Sequence, residues 1–187
     1  MDITPGAVDE STYRRAIGAF ASGVGIVTTE DADGRPIGMT VSSFTALSAA
    51  PPSILVCVRR DARTHELIVS GGRYGVSLLG ADAAPKALYC ATRGGDKGLP
   101  PEWLDDADGF ASPALRDALA VIDCEVADVF TSGTHSIVVG AVRAIGLAGH
   151  RRAADPLVHY RGTFRHLQRH LPPGAVAPLP IIEHEIF

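Results

Sequence analysis

Hydroxyl side chains are concentrated between Gly38 and Ser48, in a stretch that reads like a β-strand. They belong to Thr40, Ser42, Ser43, Thr45 and Ser48. An ordinary core strand would show alternating bulky apolar residues instead. Because side chains alternate along a strand, Thr40 and Ser42 should share a face, where small hydroxyls supply uncharged donors and acceptors. The pattern indicates a close-fitting ligand site, although a polar edge strand would also produce it.

Other motifs that carry chemistry are missing from the sequence. The three cysteines, Cys57, Cys90 and Cys124, form no C-x-x-C pair, so we expect no metal site and no redox dithiol. Their odd count and wide spacing favour reduced thiols in a cytoplasm. There is no G-x-G-x-x-G after a strand and no Walker A motif. Surface positions are expected for four histidines without metal-ligand spacing, His159, His166, His170 and His184.

The composition indicates one globular domain. The chain has 187 residues, 46% of them apolar and 20% charged, with a formal net charge of −4. This length predicts a single domain over 1–187, with tails at 1–10 and 170–187, and the apolar content suits a homo-oligomer. No clustered basic face points to nucleic acid. Neither a signal peptide nor an apolar run of about 18 residues is visible, so no membrane span is expected.

Turn signals separate many short strands. Strands are predicted at 24–29, 37–43, 53–58, 73–79, 120–130, 136–148 and 157–167, and helices at 11–20, 64–68 and 83–92. The last strand should finish the sheet. Because the regular helix of a βαβ unit is missing between strands, the pattern favours a mainly β barrel with a few peripheral helices.

Local patterns give further expectations. The unbroken apolar run 53–58 should be buried on both faces, and 47–52 should be a proline-bounded loop. Thr64 should cap the helix that follows it. The apolar residues at 181–187 should dock on their own domain or on a partner.

An ordered series of motifs resembles one family. In chain order these are Phe20-Ala21-Ser22-Gly23-Val24, Val27-Thr28-Thr29, the Gly38 to Phe44 stretch, Arg63-Thr64-His65, Gly133-Thr134-His135 and Tyr160-Arg161-Gly162. Together they make the chain, from about residue 12 to 167, similar to the flavin reductases. Those proteins are the small reductase components of two-component flavin-dependent monooxygenases.

The resemblance implies a split β-barrel that binds FMN or FAD, forms a homodimer, and takes hydride from NADH or NADPH. It implies that reduced flavin passes to a flavin-dependent monooxygenase component. The flavin ring and ribityl chain would lie along Thr40, Val41, Ser42 and Ser43, beside Cys57 and Val58. The flavin phosphate would lie at Arg63, Thr64 and His65. By the same resemblance, His135 would face the nicotinamide, and the segment at Ala91 would reach the flavin.

The residue types suit these roles. Arg63 precedes a predicted helix start, so a guanidinium and backbone N–H groups would meet a phosphate together. A flavin would carry the redox chemistry itself, which is consistent with the lack of a Ser-His-Asp or paired-carboxylate constellation. The family often has Gly-Asp-His where this chain has Gly133-Thr134-His135. The threonine can hydrogen-bond as the aspartate does, but it adds no charge. Trp103 would be a packing anchor or a lid over the flavin.

Two alternatives to a flavin reductase stay open. One is a flavoprotein of the same fold that retains its flavin and acts on an organic substrate. The other is a flavin-binding protein without catalysis. The threonine at position 134 gives the first alternative its weight, since the family's aspartate could orient the histidine or offset its charge.

Overall fold

The computed structural model describes residue 6 and residues 8–94, 96–105, 108–149 and 155–167. Most of the predicted first tail, the whole tail at 170–187, His170 and His184 lie outside these residues, and so does the apolar end of the chain. Among the described helices, none is long and apolar enough to cross a membrane.

Three short helices lie in the described part of the chain: α1 Glu10–Ile17, α2 Arg63–Gly71 and α3 Ala84–Ala91. Helix α1 starts after Asp9, whose carboxylate accepts the N–H of Thr12 at 2.8 Å and so caps the first turn. The prediction that Thr64 caps the second helix is wrong. Helix α2 begins after Ala62, which has no side-chain cap, and Thr64 is buried inside the first turn.

The strands follow the predicted order but divide more finely. They are β1 Ser22–Gly23, β2 Gly25–Glu30, β3 Pro36–Val41, β4 Thr45–Ala49, β5 Pro52–Arg59, β6 Arg73–Leu79, β7 Leu104–Asp105, β8 Ala114–Leu115, β9 Ala118–Ser132, β10 His135–Leu147, β11 Leu157–Tyr160 and β12 Thr163–His166. Strand β4 occupies part of the segment predicted as a loop at 47–52, because these residues pair with β5.

Seven strands form one antiparallel sheet in the order β3-β2-β6-β9-β10-β5-β4. Strands β1, β11 and β12 form a separate sheet, so the prediction that 157–167 finishes the main sheet is wrong. That segment folds into a hairpin instead, since Arg161 and Gly162 both have positive φ, the geometry of a tight two-residue turn. The mainly β architecture with peripheral helices is confirmed.

Two apolar cores hold the sheets and helices together. One lies under α3 and includes Ile26, Leu79 and Leu157, and the other is built around Tyr74 and Val58. Strand β5 alternates between core and partly exposed positions, so the expectation that both its faces are buried is wrong. Its second face is left open toward a cleft.

Candidate functional site

A cleft of about 800 Å³ lies where the ends of β3 and β5 meet the starts of α2 and β10 and the end of α3. Its volume is within the usual range for small-molecule sites. Nine of the eleven predicted site residues line it: Thr40, Val41, Ser42, Ser43, Cys57, Arg63, Thr64, Ala91 and His135. The other two, Val58 and His65, do not.

The hydroxyls at the end of β3 and just after it are mostly engaged by the protein itself. Thr40 donates its hydroxyl to the carbonyl of Ala87 at 2.6 Å, which fastens α3 to the strand. Ser43 Oγ accepts the N–H of Cys57 and donates to its carbonyl, both at 3.1 Å. Ser42 is exposed, and its hydroxyl bonds to no other described residue. Close backbone approach and one free hydroxyl are therefore what this edge offers a ligand.

The two faces of β5 explain the position of Val58. Cys57 and Arg59 line the cleft, whereas Val58 is completely buried in the core on the opposite side. Side chains on a strand alternate between faces, so Val58 points to the face of β5 opposite that of Cys57 and Arg59. The side chain of Val58 therefore supports the wall from behind.

The start of α2 forms a cationic corner. Ala62, Arg63 and Thr64 line the cleft, and no side chain caps the first N–H groups of this nine-residue helix. Such free N–H groups and the helix dipole favour an anion. His65 lies outside the cleft, where its Nε2 is 2.9 Å from the Oγ of the buried Ser136 and links α2 to β10.

His135 is placed by a tight hairpin between β9 and β10. Gly133 has a φ of +53°, a conformation that glycine adopts without strain. The hydroxyl of Thr134 lies 2.9 Å from His135 Nδ1. That contact engages Nδ1 and leaves Nε2 as the other ring nitrogen.

The end of α3 supplies a further wall. Lys97 Nζ donates to the carbonyls of Cys90, at 2.7 Å, and Thr92. These are carbonyls at a helix end, where a cation is favoured. Desolvation lowers the pKa of Lys97 below its ordinary value. Burial raises the pKa of the Cys90 thiol to about 11 and that of Cys124 to about 12, so both are protonated thiols near neutral pH.

Sequence reasoning missed part of the cleft. Arg59, Lys97, His159 and Phe164 also line it. His159 was expected at the surface, but the pairing of β11 with β1 places it at the cleft. It meets Phe164 edge-on, with ring centroids 6.2 Å apart. A hairpin signal at Arg161-Gly162 could have paired the two rings, but nothing local gives their place beside β3.

Trp103 is a packing anchor. It does not line the cleft but stacks edge-on with Tyr89, with ring centroids 5.3 Å apart, and lies under the ammonium of Lys86 at 5.5 Å. The lid alternative therefore finds no support in its position. Among the described residues, no group of three or more His, Cys, Asp or Glu side chains could hold a metal ion.

The charge of the cleft is opposite to that of the chain. Its lining carries four cations and one carboxylate, namely Arg59, Arg63, Arg93, Lys97 and Asp61. The whole chain has a net charge of −4. The Arg59 guanidinium, 2.8 Å from Asp61, holds the pKa of that carboxyl below its ordinary value. Apolar and hydroxyl walls with a cationic corner fit a planar ring that carries an anionic chain, as a flavin nucleotide does.

Comparison with known proteins agrees with this chemistry. The flavin reductase like domain family matches residues 17–168. The chain is 32% identical over 164 residues to the flavin reductase (NADH) of Kitasatospora aureofaciens, covering 88% of this chain and 85% of that protein. It is 37% identical over 161 residues to the reductase component of the 4-nitrophenol 4-monooxygenase/4-nitrocatechol 2-monooxygenase of Rhodococcus opacus, covering 85% and 82%.

The fold has solved counterparts. The crystal structure of BorF, the flavin reductase component of a bacterial two-component tryptophan halogenase, has a TM-score of 0.76 and 34% identity, covering 87% of this chain and 100% of that chain. The chain belongs to the flavin reductase family. The predictions of the family, of its split β-barrel and of a flavin reductase as the enzyme class are confirmed.

Proposed function

We propose that the chain transfers hydride from NADH or NADPH to FMN or FAD bound in the cleft, and that the reduced flavin then leaves for a partner monooxygenase. The observation that carries this proposal is the meeting of three features in one cleft. These are the small-residue edge of β3, the uncapped start of α2 with Arg63, and His135. A bound flavin would supply the redox chemistry by accepting hydride at its N5 atom.

The residues of the chain would bind and orient the two reactants. The side chain of Arg63 and the backbone N–H groups of Arg63 and Thr64 would hold the flavin phosphate. Backbone groups near Val41 and the free hydroxyl of Ser42 would meet the edge of the ring, with Cys57 as an apolar cushion. His135 Nε2, with Nδ1 held by Thr134, would orient the nicotinamide.

A direct assay tests this function. The purified chain is mixed with NADH or NADPH and with free FMN or FAD, and the absorbance of the reduced nicotinamide is followed. Rapid oxidation that depends on both protein and flavin is expected, and no oxidation with either nicotinamide would refute the proposal. Flavin that stays with the protein through gel filtration would instead favour the flavoprotein that retains its cofactor.

We also propose that the chain forms a homodimer in a reducing cytoplasm. The end of β9, from 127 to 132, is exposed on both faces and presents Val129 and Phe130 to solvent. A second copy would cover this apolar surface beside the hairpin that carries His135. Light scattering should give a molar mass of twice that of one chain. The Phe130→Glu variant should give a lower mass. A wild-type monomer would refute the dimer.

A further inference from the structure

The turn between β2 and β3 lies beside the cationic corner of the cleft without lining it. At one end of the turn, Asp31 Oδ1 accepts the backbone N–H groups of Asp33 at 3.1 Å and Arg35 at 3.0 Å. Its Oδ2 accepts a hydrogen bond from the Arg63 guanidinium at 2.7 Å. The Asp31 side chain is 10% exposed and that of Arg63 is 53% exposed. A nearly buried carboxylate thus holds a more exposed guanidinium.

The same turn holds the opposite wall. Arg35 forms an ion pair with Asp96, whose other oxygen accepts the N–H of Gly98 at 3.0 Å. Gly98 packs against the Arg35 guanidinium, so a side chain at position 98 would displace the arginine from its ion pair with Asp96. Backbone bonds of 2.9 Å, from Gly38 to the Lys97 carbonyl and from Leu99 to the Pro36 carbonyl, tie the same segment to β3. Lys97, which lines the cleft, is therefore placed from this turn.

Four alternating charges, Arg63, Asp31, Arg35 and Asp96, thus join the two walls of the cationic corner; we call them the turn brace. We propose that the turn brace is a positioning device for phosphate recognition. Asp31 acts through Arg63, and Asp96 acts through the segment that carries Lys97. This inference rests on the proposed flavin site, since the phosphate in question is that of the flavin.

Physical arguments separate positioning from simple charge. Exposed ion pairs contribute little to the free energy of unfolding. The turn brace would therefore act by fixing the positions of Arg63 and of the segment that carries Lys97. An arginine held in place loses less side-chain entropy when a ligand binds, which improves affinity. A carboxylate near a phosphate is in itself repulsive. Removing Asp31 should therefore weaken phosphate binding if it positions Arg63, and strengthen it if only its charge matters.

The test uses Asp31→Asn in the full chain. The asparagine keeps an oxygen for the two turn N–H groups but removes the charged acceptor of Arg63. Dissociation constants for FMN and for riboflavin, which lacks the phosphate, are measured by flavin fluorescence without nicotinamide. We expect the FMN constant to rise about threefold to tenfold and the riboflavin constant to change less than about twofold.

Two further variants sharpen the comparison. Glu30→Gln removes a charge one residue away, where Glu30 pairs with Arg73 at 3.3 Å outside the cleft, and it should leave both constants unchanged. Asp96→Asn should weaken FMN binding in the same selective way as Asp31→Asn. In an Arg63→Ala background, Asp31→Asn should no longer weaken FMN binding, because the guanidinium that Asp31 positions is gone.

The outcomes are distinct. Tighter or unchanged FMN binding in Asp31→Asn, or equal weakening of FMN and riboflavin, would overturn the positioning role. Undiminished sensitivity to Asp31→Asn in the Arg63→Ala background would overturn it too. Wild-type protein that binds FMN but oxidises no reduced nicotinamide would refute the proposed function and leave this binding comparison intact.

Discussion

The two faces of strand β5 differ in what their side chains do. Val56 and Val58 are completely buried and pack with Tyr74 in the core. Cys57 and Arg59, in alternate positions on the same strand, line the cleft. The core face therefore contributes mainly to stability, whereas the cleft face can change without unfolding the protein. Substitutions on the core face should change the free energy of unfolding, and substitutions on the cleft face should change binding and turnover.

The largest effect is expected at Gly140 on the core side of β10. A Cβ at this position would lie 2.8 Å from Cys124 Cβ and also overlap the Tyr74 hydroxyl. Both neighbours are buried, so they cannot move aside cheaply. Gly140→Ala should lower the free energy of unfolding by about 3 kcal/mol, measured by urea denaturation. A loss below about 1 kcal/mol would mean that the core is looser than the structure indicates.

Val58 and Cys57 offer a matched pair on one strand. Val58→Ala should cost about 2 kcal/mol of unfolding free energy, because it removes buried methyl groups and leaves a cavity. Cys57→Ala, on the partly exposed cleft face, should cost less than about 1 kcal/mol. Denaturation of the two variants side by side tests the division between faces, and equal losses would contradict it.

Substitution of Arg63 should change flavin binding and leave stability nearly unaltered. Arg63→Ala removes a charge-assisted bond to the proposed phosphate, so the Kd for FMN should rise about tenfold. Thermal stability should hardly change, since the ion pair of Arg63 with Asp31 is partly exposed. FMN titration and a melting curve of the same preparation measure both quantities. A large loss of stability with unaltered FMN binding would reverse the assignment.

His135 should affect turnover more than flavin binding. His135→Ala removes a ring that orients the nicotinamide, so hydride transfer should slow about tenfold in single-turnover measurements. The Kd for oxidised flavin should stay within about twofold. Rates equal to those of the wild type would remove His135 from the site.

The smallest effect is expected at Thr134. Thr134→Val keeps the shape but removes the hydroxyl at 2.9 Å from His135 Nδ1. An exposed hydrogen bond contributes about 0.5 to 1 kcal/mol, so hydride transfer should slow about twofold to fivefold. A slowing as large as that of His135→Ala would show that orientation of the ring accounts for its whole role.

Much of the cleft could be predicted because its residues lie in short motifs that resemble those of the flavin reductases. The hydroxyl stretch after Gly38, the helix start at Arg63 and the Gly133-Thr134 turn are each short and continuous in the sequence. The hydrogen-bond partners of the hydroxyls could not be predicted. Thr40 and Ser43 were expected to be offered to a ligand, but they bind Ala87 and Cys57, residues distant in the chain. Which partner satisfies a hydroxyl depends on strand pairing, and no local pattern specifies it.

The sequence by itself determined the mainly β class and most strand positions, because alternation and turn chemistry are local properties of the chain. Nine of the residues around the cleft followed from the resemblance of its ordered motifs to the flavin reductases. Only the tertiary structure decided that Val58 faces the core, that His159 reaches the cleft through β1, and that Asp31 holds Arg63. These three facts depend on register and on contacts between distant segments. Long-range packing fixes them, and the same local sequences would permit other arrangements.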